Sequence, residues 1–237
     1  NVSRCNARCI MCQVSEWPKG KRASDMSLED FQNLIDEQYG LIDIKLHGMG
    51  EPLLGRDVFF DQVRYARAQH IWVRTVTNAS LLHLKDNYKK LIDTDINEIQ
   101  ISIDGADRET YEEIRVGLKF DHVARNCRLI NDYCDKKGVV RTKMWTMVQK
   151  KNYHQLLDLV DTAHDLGFKF QVFSLDFTNW GQEEWDIRHE EICTVSRFDD
   201  DLADALIEKG RKLGVEVAFW TIDEKYSHKQ SQTLCPW

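Results

Sequence analysis

Segments with the pattern of β-strands alternate with segments that have the pattern of amphipathic helices along this 237-residue chain. The strand candidates alternate polar and apolar residues or are rich in β-branched and aromatic residues. They are residues 42–46, 71–77, 98–104, 139–148, 169–176 and 215–222. Such an order predicts an α/β fold with a parallel sheet and right-handed crossovers. The sheet is then either open and doubly wound or curled into a full or partial barrel, and both arrangements place ligands at the carboxyl ends of the strands.

Helix boundaries and helix faces are also visible in the sequence. Two apolar stripes at helical spacing comprise Phe31, Leu34, Ile35 and Tyr39, and Leu156, Leu157, Val160 and Ala163. Ser27 with Asp30 has the spacing of a capping box, and Asn152 with Gln155 repeats it more weakly. Left-handed residues that end helices before strands are expected at Gly138, Gly167 and Gly214.

Three of the seven cysteines lie within eight residues, in the segment Cys5-Asn-Ala-Arg-Cys9-Ile-Met-Cys12. Clustered cysteines in a mid-sized chain are more often metal ligands than parts of a disulfide framework. Three thiolates with no fourth ligand nearby leave a coordination position open. That arrangement favours an iron–sulfur cluster that binds a further molecule, and a structural zinc or cluster site is the alternative.

The C-x3-C-x2-C spacing of these cysteines resembles the signature loop of the radical S-adenosylmethionine (SAM) superfamily. The resemblance implies a partial (β/α)6 TIM-like barrel in which Cys5, Cys9 and Cys12 hold a [4Fe–4S] cluster and SAM binds the open iron. The reduced cluster then cleaves SAM to methionine and a 5′-deoxyadenosyl radical. Met11 stands where relatives often have an aromatic residue that packs on adenine.

Two segments that follow strand candidates resemble further motifs of the superfamily. Gly48-Met49-Gly50-Glu51-Pro52 is similar to the Gly-Gly-Glu motif, with Met49 in place of a glycine. By this resemblance, Gly48 and Gly50 let the backbone approach the methionyl group of SAM, and the region of Glu51 receives its ammonium. Asn78, after Thr77, ends a strand as a supporting motif does in relatives.

The remaining expected SAM contacts come from later strands. Ser102 and Asp104 resemble the polar residues that reach the ribose hydroxyls and the carboxylate, and strand periodicity places them on the face opposite Ile99, Ile101 and Ile103. Arg115 resembles an arginine that pairs with the methionyl carboxylate. Val148 lies where relatives place an apolar residue against adenine.

The last three residues, Cys235-Pro236-Trp237, resemble the opening of a SPASM segment, in which cysteines bind one or two auxiliary iron–sulfur clusters. The resemblance makes Cys235 one auxiliary ligand. We therefore expect a barrel core at residues 1–222, truncated at its N-terminus, and a linker with the beginning of a SPASM-like segment at residues 223–237.

The expected reaction is hydrogen-atom abstraction from a peptide or sugar-like substrate, which leads to oxidation, epimerisation or crosslinking in a maturase-type oxidoreductase. An electron donor such as flavodoxin or ferredoxin is the expected protein partner. A redox-neutral member of the superfamily, such as a methyltransferase, is one alternative. The other is a noncatalytic α/β protein that binds zinc or an iron–sulfur cluster.

Charge and hydropathy narrow the partners. The net charge of −7 disfavours nonspecific binding to nucleic acid or to an anionic membrane surface. No segment reaches the roughly 18 apolar residues of a membrane-spanning helix. We expect a cytoplasmic protein without a nucleic-acid or membrane partner.

Overall fold

The structure, a computed structural model, describes residues 2–12, 15, 23–175 and 198–221. Its strands each lie within one of the six predicted segments, which confirms those predictions. They are β1 (Asp43–Lys45), β2 (Trp72–Thr77), β3 (Glu98–Ser102), β4 (Thr142–Met147), β5 (Phe170–Leu175) and β6 (Glu216–Thr221).

Helices occupy most of the chain between the strands. They are α1 (Leu28–Asp36), α2 (Arg56–Ala68), α3 (Asn87–Asp93), α4 (Arg108–Ile114), α5 (Phe120–Lys137), α6 (Leu156–Asp165) and α7 (Asp200–Leu213). Short 3-10 helices cover Pro52–Gly55, Leu84–Asp86 and Tyr153–Gln155. No helix in the described part of the chain is long and apolar enough to cross a membrane.

The six strands form one parallel sheet in the order β1-β2-β3-β4-β5-β6. A doubly wound sheet reverses its strand order at a switch point, and this sheet does not. Right-handed crossovers without a reversal keep all the helices on one face of the sheet, so the sheet curls as a barrel does. Since β1 and β6 are the edges of the described sheet, the fold is the partial α/β barrel that the family resemblance implied.

The two faces of the sheet differ in polarity. Ile99, Ile101 and Ile103 are buried in one core with apolar residues of the helices, such as Val123 and Ile130 of α5. Residues in register across parallel strands share a face, and strand side chains alternate between faces. The opposite, concave face therefore carries Gln100 and Ser102 of β3 and continues through their neighbours on β4, Lys143 and Trp145.

Several predicted helix ends are confirmed, and one is wrong. Ser27 Oγ accepts a hydrogen bond from Asp30 N at 3.0 Å, as a capping residue does. The left-handed residues are confirmed at Gly138, Gly167 and Gly214. Asn152 is the N-cap residue of the 3-10 helix Tyr153–Gln155 that leads into α6, but the predicted side-chain cap is wrong, because its amide donates to the backbone oxygens of residues 104 and 147 instead.

The predicted stripes are only partly buried. Phe31 and Ile35 are buried, whereas Leu34 is exposed and Tyr39 lies beyond the end of α1 and is fully exposed. In α6, Leu157 is the exposed member of its stripe. Tertiary packing buries a narrower side of each helix than the spacing of apolar residues indicates.

Candidate functional site

A cavity of about 240 Å³ opens where β1, β2 and β3 end at their carboxyl sides. Most of the predicted site residues line it: Cys5, Cys9, Cys12, Gly48, Gly50, Glu51, Asn78, Ser102 and Arg115. Met11, Asp104 and Val148 are buried and are not part of the lining. Cys235 lies outside the described residues, as does the predicted segment 223–237.

The three thiols meet at this cavity without being paired to each other. Cys5 Sγ accepts from Ala7 N at 3.5 Å and lies 4.0 Å from Asn78 Nδ2, whereas Cys9 Sγ lies 3.6 Å from Arg115 Nη1. Burial raises the pKa of the Cys5 thiol to about 11 and also raises the pKa of Cys9, against the effect of the Arg115 charge. Because metals bind the thiolate, a bound cation must supply the stabilisation that deprotonates these residues.

The donor set fits an iron–sulfur cluster better than a single ion. In residues 2–12, 15, 23–175 and 198–221, no three His, Cys, Asp or Glu side chains converge closely enough to share one metal ion. A [4Fe–4S] cluster does not need that convergence, because each cysteine binds a different iron atom. Three thiols spread around one cavity match such a cluster.

Gly50 allows the segment that leads into the cysteine loop to pass close to the 48–51 loop. Glu51 N donates to Arg4 O at 2.9 Å. A Cβ atom added at Gly50 would lie 2.1 Å from the same oxygen and 2.6 Å from the Arg4 carbonyl carbon. The Arg4 atoms are backbone atoms and cannot move aside by a change of side-chain rotamer. Gly50 is therefore required by a contact within the protein.

Glu51 ties the same loop to the end of β2. Its buried carboxylate accepts hydrogen bonds from Thr77 Oγ1 at 2.6 Å, Asn78 N at 2.8 Å and Leu53 N at 3.3 Å. Burial raises the pKa of Glu51 although these three donors oppose the shift. The carboxylate therefore fixes the shape of the cavity wall.

A side-chain network connects the cysteine loop to the residues after β2. Asn6 Nδ2 donates to Ser80 Oγ at 2.8 Å, and Asn78 Nδ2 donates to Asn6 Oδ1 at 3.0 Å. Ser80 Oγ in turn donates to Asn78 Oδ1 at 2.7 Å. Sequence reasoning did not find Asn6 or Ser80, because their role comes from contacts 72 and 74 residues apart along the chain.

Asp104 lies one layer behind the cavity and holds Arg115. Arg115 Nε donates to Asp104 Oδ2 at 2.5 Å, and Met147 N donates to Asp104 Oδ1 at 2.8 Å. Asp104 is fully buried, and the Arg115 side chain is 14% exposed. Both residues were singled out in the sequence, but their pairing was not predicted.

The chain resembles several curated proteins over most of its length. It is 27% identical over 213 residues to the mycofactocin maturase MftC of Mycolicibacterium smegmatis, and the aligned region covers 88% of this chain and 50% of that protein. It is 29% identical over 187 residues to the AdoMet-dependent heme synthase of Methanosarcina barkeri, covering 76% of this chain and 50% of that protein. The chain thus spans about half the length of these relatives.

Solved structures share the fold. Streptococcus suis SuiB bound to precursor peptide SuiA superposes with a TM-score of 0.67 at 14% identity, covering 92% of this chain and 46% of that one. Native anSMEcpe with bound AdoMet and Kp18Cys peptide also gives a TM-score of 0.67, at 19% identity and with 90% and 60% coverage. At these identities the likeness shows the partial barrel and nothing finer.

The family model described as the radical SAM superfamily matches residues 2–163, which include the three clustered cysteines and all the residues that line the cavity. Since the match covers more than half of the 237 residues, the chain belongs to the radical SAM superfamily.

Proposed function

We propose that the protein is a radical SAM enzyme that abstracts a hydrogen atom from a peptide. The observation that carries the proposal is that the thiols of Cys5, Cys9 and Cys12 surround one cavity at the carboxyl ends of parallel strands. Such a position is where α/β barrels place their active sites. The cavity brings the cysteine segment together with residues 47–51, 76–78, 102 and 115, which lie far from it in the sequence.

The chain's own residues bind and orient the cofactors. Cys5, Cys9 and Cys12 would hold the [4Fe–4S] cluster with one iron left for SAM, whose amino group the 48–51 loop would receive and whose carboxylate Arg115 would receive. Ser102 and Asn78, both in the cavity wall, would contact the remainder of SAM, and Gly48, Gly50 and Glu51 set the backbone there. Met11 and Val148, which are buried and outside the cavity lining, would support the wall near adenine, and Asp104 would act through Arg115. When bound, the cluster and SAM supply the electron transfer that yields the 5′-deoxyadenosyl radical.

A peptide substrate is supported by the solved structures that share this fold. SuiB is bound to a precursor peptide in one of them, and anSMEcpe is bound to a peptide in another. Removal of a hydrogen atom from a peptide would lead to its oxidation, epimerisation or crosslinking. An electron donor such as flavodoxin or ferredoxin would reduce the cluster.

The region after the barrel core, residues 223–237, would contribute a ligand to an auxiliary iron–sulfur cluster. The domain division at residue 222 and the assignment of Cys235 to an auxiliary iron–sulfur cluster rest on the resemblance of residues 235–237 to a SPASM segment. An auxiliary cluster there would accept the electron left on an oxidised substrate. Iron and sulfide content per chain, compared between wild type and Cys235→Ala, tests this part separately.

The decisive experiment is reductive cleavage of SAM. The protein is reconstituted anaerobically with iron and sulfide, reduced with dithionite and incubated with SAM, and 5′-deoxyadenosine is quantified. We expect the nucleoside to form only in the reconstituted, reduced sample. A reconstituted protein that carries the cluster and forms no nucleoside would contradict the proposal, as would a protein that takes up zinc in preference to the cluster.

The substrate class has its own readout. A candidate peptide deuterated on carbon is added to the same reaction, and deuterium in 5′-deoxyadenosine is measured by mass spectrometry. We expect deuterium transfer from the peptide and none from a deuterated sugar. Transfer from the sugar alone would replace the peptide in the proposal while leaving SAM cleavage intact.

A further inference from the structure

Arg115 is placed opposite Cys9 by backbone hydrogen bonds. Arg8 N donates to Val116 O at 2.8 Å, and Ile10 N donates to Ile114 O at 3.0 Å. These two bonds flank Cys9 on one side and Arg115 on the other. The cysteine loop and the end of α4 are thereby held in register, and this register brings Arg115 Nη1 to 3.6 Å from Cys9 Sγ.

Asp104 fixes the orientation of the guanidinium. Its carboxylate is itself held by Met147 N at 2.8 Å, at the end of β4, and accepts from Arg115 Nε at 2.5 Å. Asp104 is fully buried and only 14% of the Arg115 side chain is exposed, so the guanidinium has little freedom to turn away from the sulfur. Asp104 thus determines which nitrogen of Arg115 faces Cys9.

The thiols at the cavity are not equivalent electrostatically. Cys9 faces a charged donor, whereas the donors near Cys5 Sγ are the neutral groups Ala7 N and Asn78 Nδ2. Hydrogen bonds to ligand sulfurs and nearby charge are among the factors that set the reduction potential of an iron–sulfur cluster. One-electron reduction adds negative charge, which a guanidinium hydrogen-bonded to sulfur stabilises.

We infer that Arg115, oriented by Asp104, raises the reduction potential of the cluster by donating a hydrogen bond to Cys9 Sγ. The inference rests on the proposed function, because it requires the cluster to be bound by Cys9. It gives Arg115 a role that persists when SAM is absent, and this separates it from any contact with the SAM carboxylate. Asp104 is a positioning residue in this account.

The test is a redox titration of the reconstituted protein without SAM, followed by EPR of the reduced cluster. Arg115→Met is expected to lower the midpoint potential so that about tenfold fewer clusters are reduced at a fixed applied potential, which is about 59 mV for a one-electron couple. Arg115→Lys keeps the charge without the forked geometry, so we expect a smaller decrease. Arg108→Met removes the same charge from an exposed pair with Asp121 and should leave the potential unchanged.

Asp104→Asn separates orientation from simple charge. Loss of a nearby negative charge alone would raise the potential. The introduced amide can keep its oxygen toward Met147 N, but its NH2 then faces the Arg115 Nε donor and releases the guanidinium, so the inference predicts a lower potential. If Arg115→Met does not retain the cluster, the potentials of Asp104→Asn and Arg115→Lys test the inference. Lower potentials than wild type support it, and unchanged or higher potentials overturn it.

Failure of this inference can be told from failure of the proposed function. A variant Arg115→Met that holds the cluster at the wild-type potential overturns the inference alone, as does a control Arg108→Met whose potential falls equally. A wild-type protein that assembles no [4Fe–4S] cluster overturns the proposed function first.

Discussion

At the amino-terminal end of the concave face, charged side chains of neighbouring strands pair with each other, whereas at the carboxyl end thiols and polar side chains surround a cavity. Arg74 pairs with Asp43 at 2.7 Å and joins β2 to β1, and Lys143 pairs with Glu98 at 2.7 Å and joins β4 to β3. At the carboxyl end the Asp104–Arg115 pair points its guanidinium toward Cys9 instead. At the amino-terminal end the charged side chains neutralise each other, whereas at the carboxyl end the thiols and Arg115 face a cavity that can hold a cofactor.

The largest effect should come from removing a thiol at the carboxyl end. Cys9→Ala is expected to abolish stable cluster binding and with it all 5′-deoxyadenosine formation, because a cluster held by two cysteines loses a ligand that the cavity does not replace. Iron content and visible absorbance after anaerobic reconstitution measure this.

Cys127→Ala is the matched control. Cys127 is a fully buried thiol of α5 that packs as a small apolar side chain, so its loss should cost about 1 kcal/mol of stability and leave the cluster in place. Equal iron content in both variants would erase the distinction between the two kinds of cysteine.

A methyl group at Gly50 should damage the carboxyl end without touching a ligand. Gly50→Ala places Cβ 2.1 Å from Arg4 O, which forces the backbone apart and is expected to destabilise the protein by about 3 kcal/mol and to reduce cluster uptake. Chemical denaturation and iron content report the two effects.

Gly138→Ala is the comparison, because Gly138 has a left-handed backbone conformation but no neighbouring atom that a Cβ would touch. A Cβ there meets no atom within 4 Å, and φ is +67°, so the expected loss is about 1 kcal/mol with normal cluster uptake. The account of Gly50 fails if both variants lose the same stability and retain the same iron.

Asn6→Ala should loosen the cysteine loop. The substitution removes the two hydrogen bonds that the Asn6 side chain makes with Asn78 and Ser80, and we expect the cluster to be lost to a chelator about tenfold faster. Asn87→Ala is the control: it removes a side-chain hydrogen bond to Leu81 O, within the segment between β2 and α3 and away from the cysteine loop, and should not change that rate. Similar rates in the two variants would show that the network does not retain the loop.

The smallest effect, and a different pH dependence, is expected at the amino-terminal end. Burial alone raises the pKa of Glu98, but hydrogen bonds from Lys143 and Gln100 and the charges of Lys143 and Arg74 lower it below the ordinary 4.5. A carboxyl whose folded-state pKa is lowered contributes stability above the unfolded pKa and loses it as the pH falls through the folded value.

Glu98→Gln should therefore cost about 1 kcal/mol at neutral pH, and the difference from wild type should shrink as the pH falls below 4.5. Denaturation curves across that range provide the measurement, and cluster content should be normal throughout. A stability difference from wild type that is the same at all pH values, or a loss of cluster in Glu98→Gln, would contradict the assignment of a purely structural role to the amino-terminal end.

The sequence was sufficient to predict the strands and the direction of the sheet, because period-two alternation and helix-ending glycines are local signals. It also placed the thiols and Arg115 among the site residues. Contacts such as Gly50 against Arg4 or Arg115 against Cys9 join segments 46 and 106 residues apart, and no local pattern encodes them. The exposed Leu34 and Tyr39 show the same limit, since burial depends on what packs against a helix.

The central claim is that three thiolates hold a cluster with one iron open to SAM. Mössbauer spectroscopy of the reconstituted protein, recorded with and without SAM, tests it most directly. The account predicts a [4Fe–4S] spectrum in which a single iron site changes when SAM is added. A spectrum that SAM leaves unchanged, or one in which every iron has a protein ligand, would contradict it.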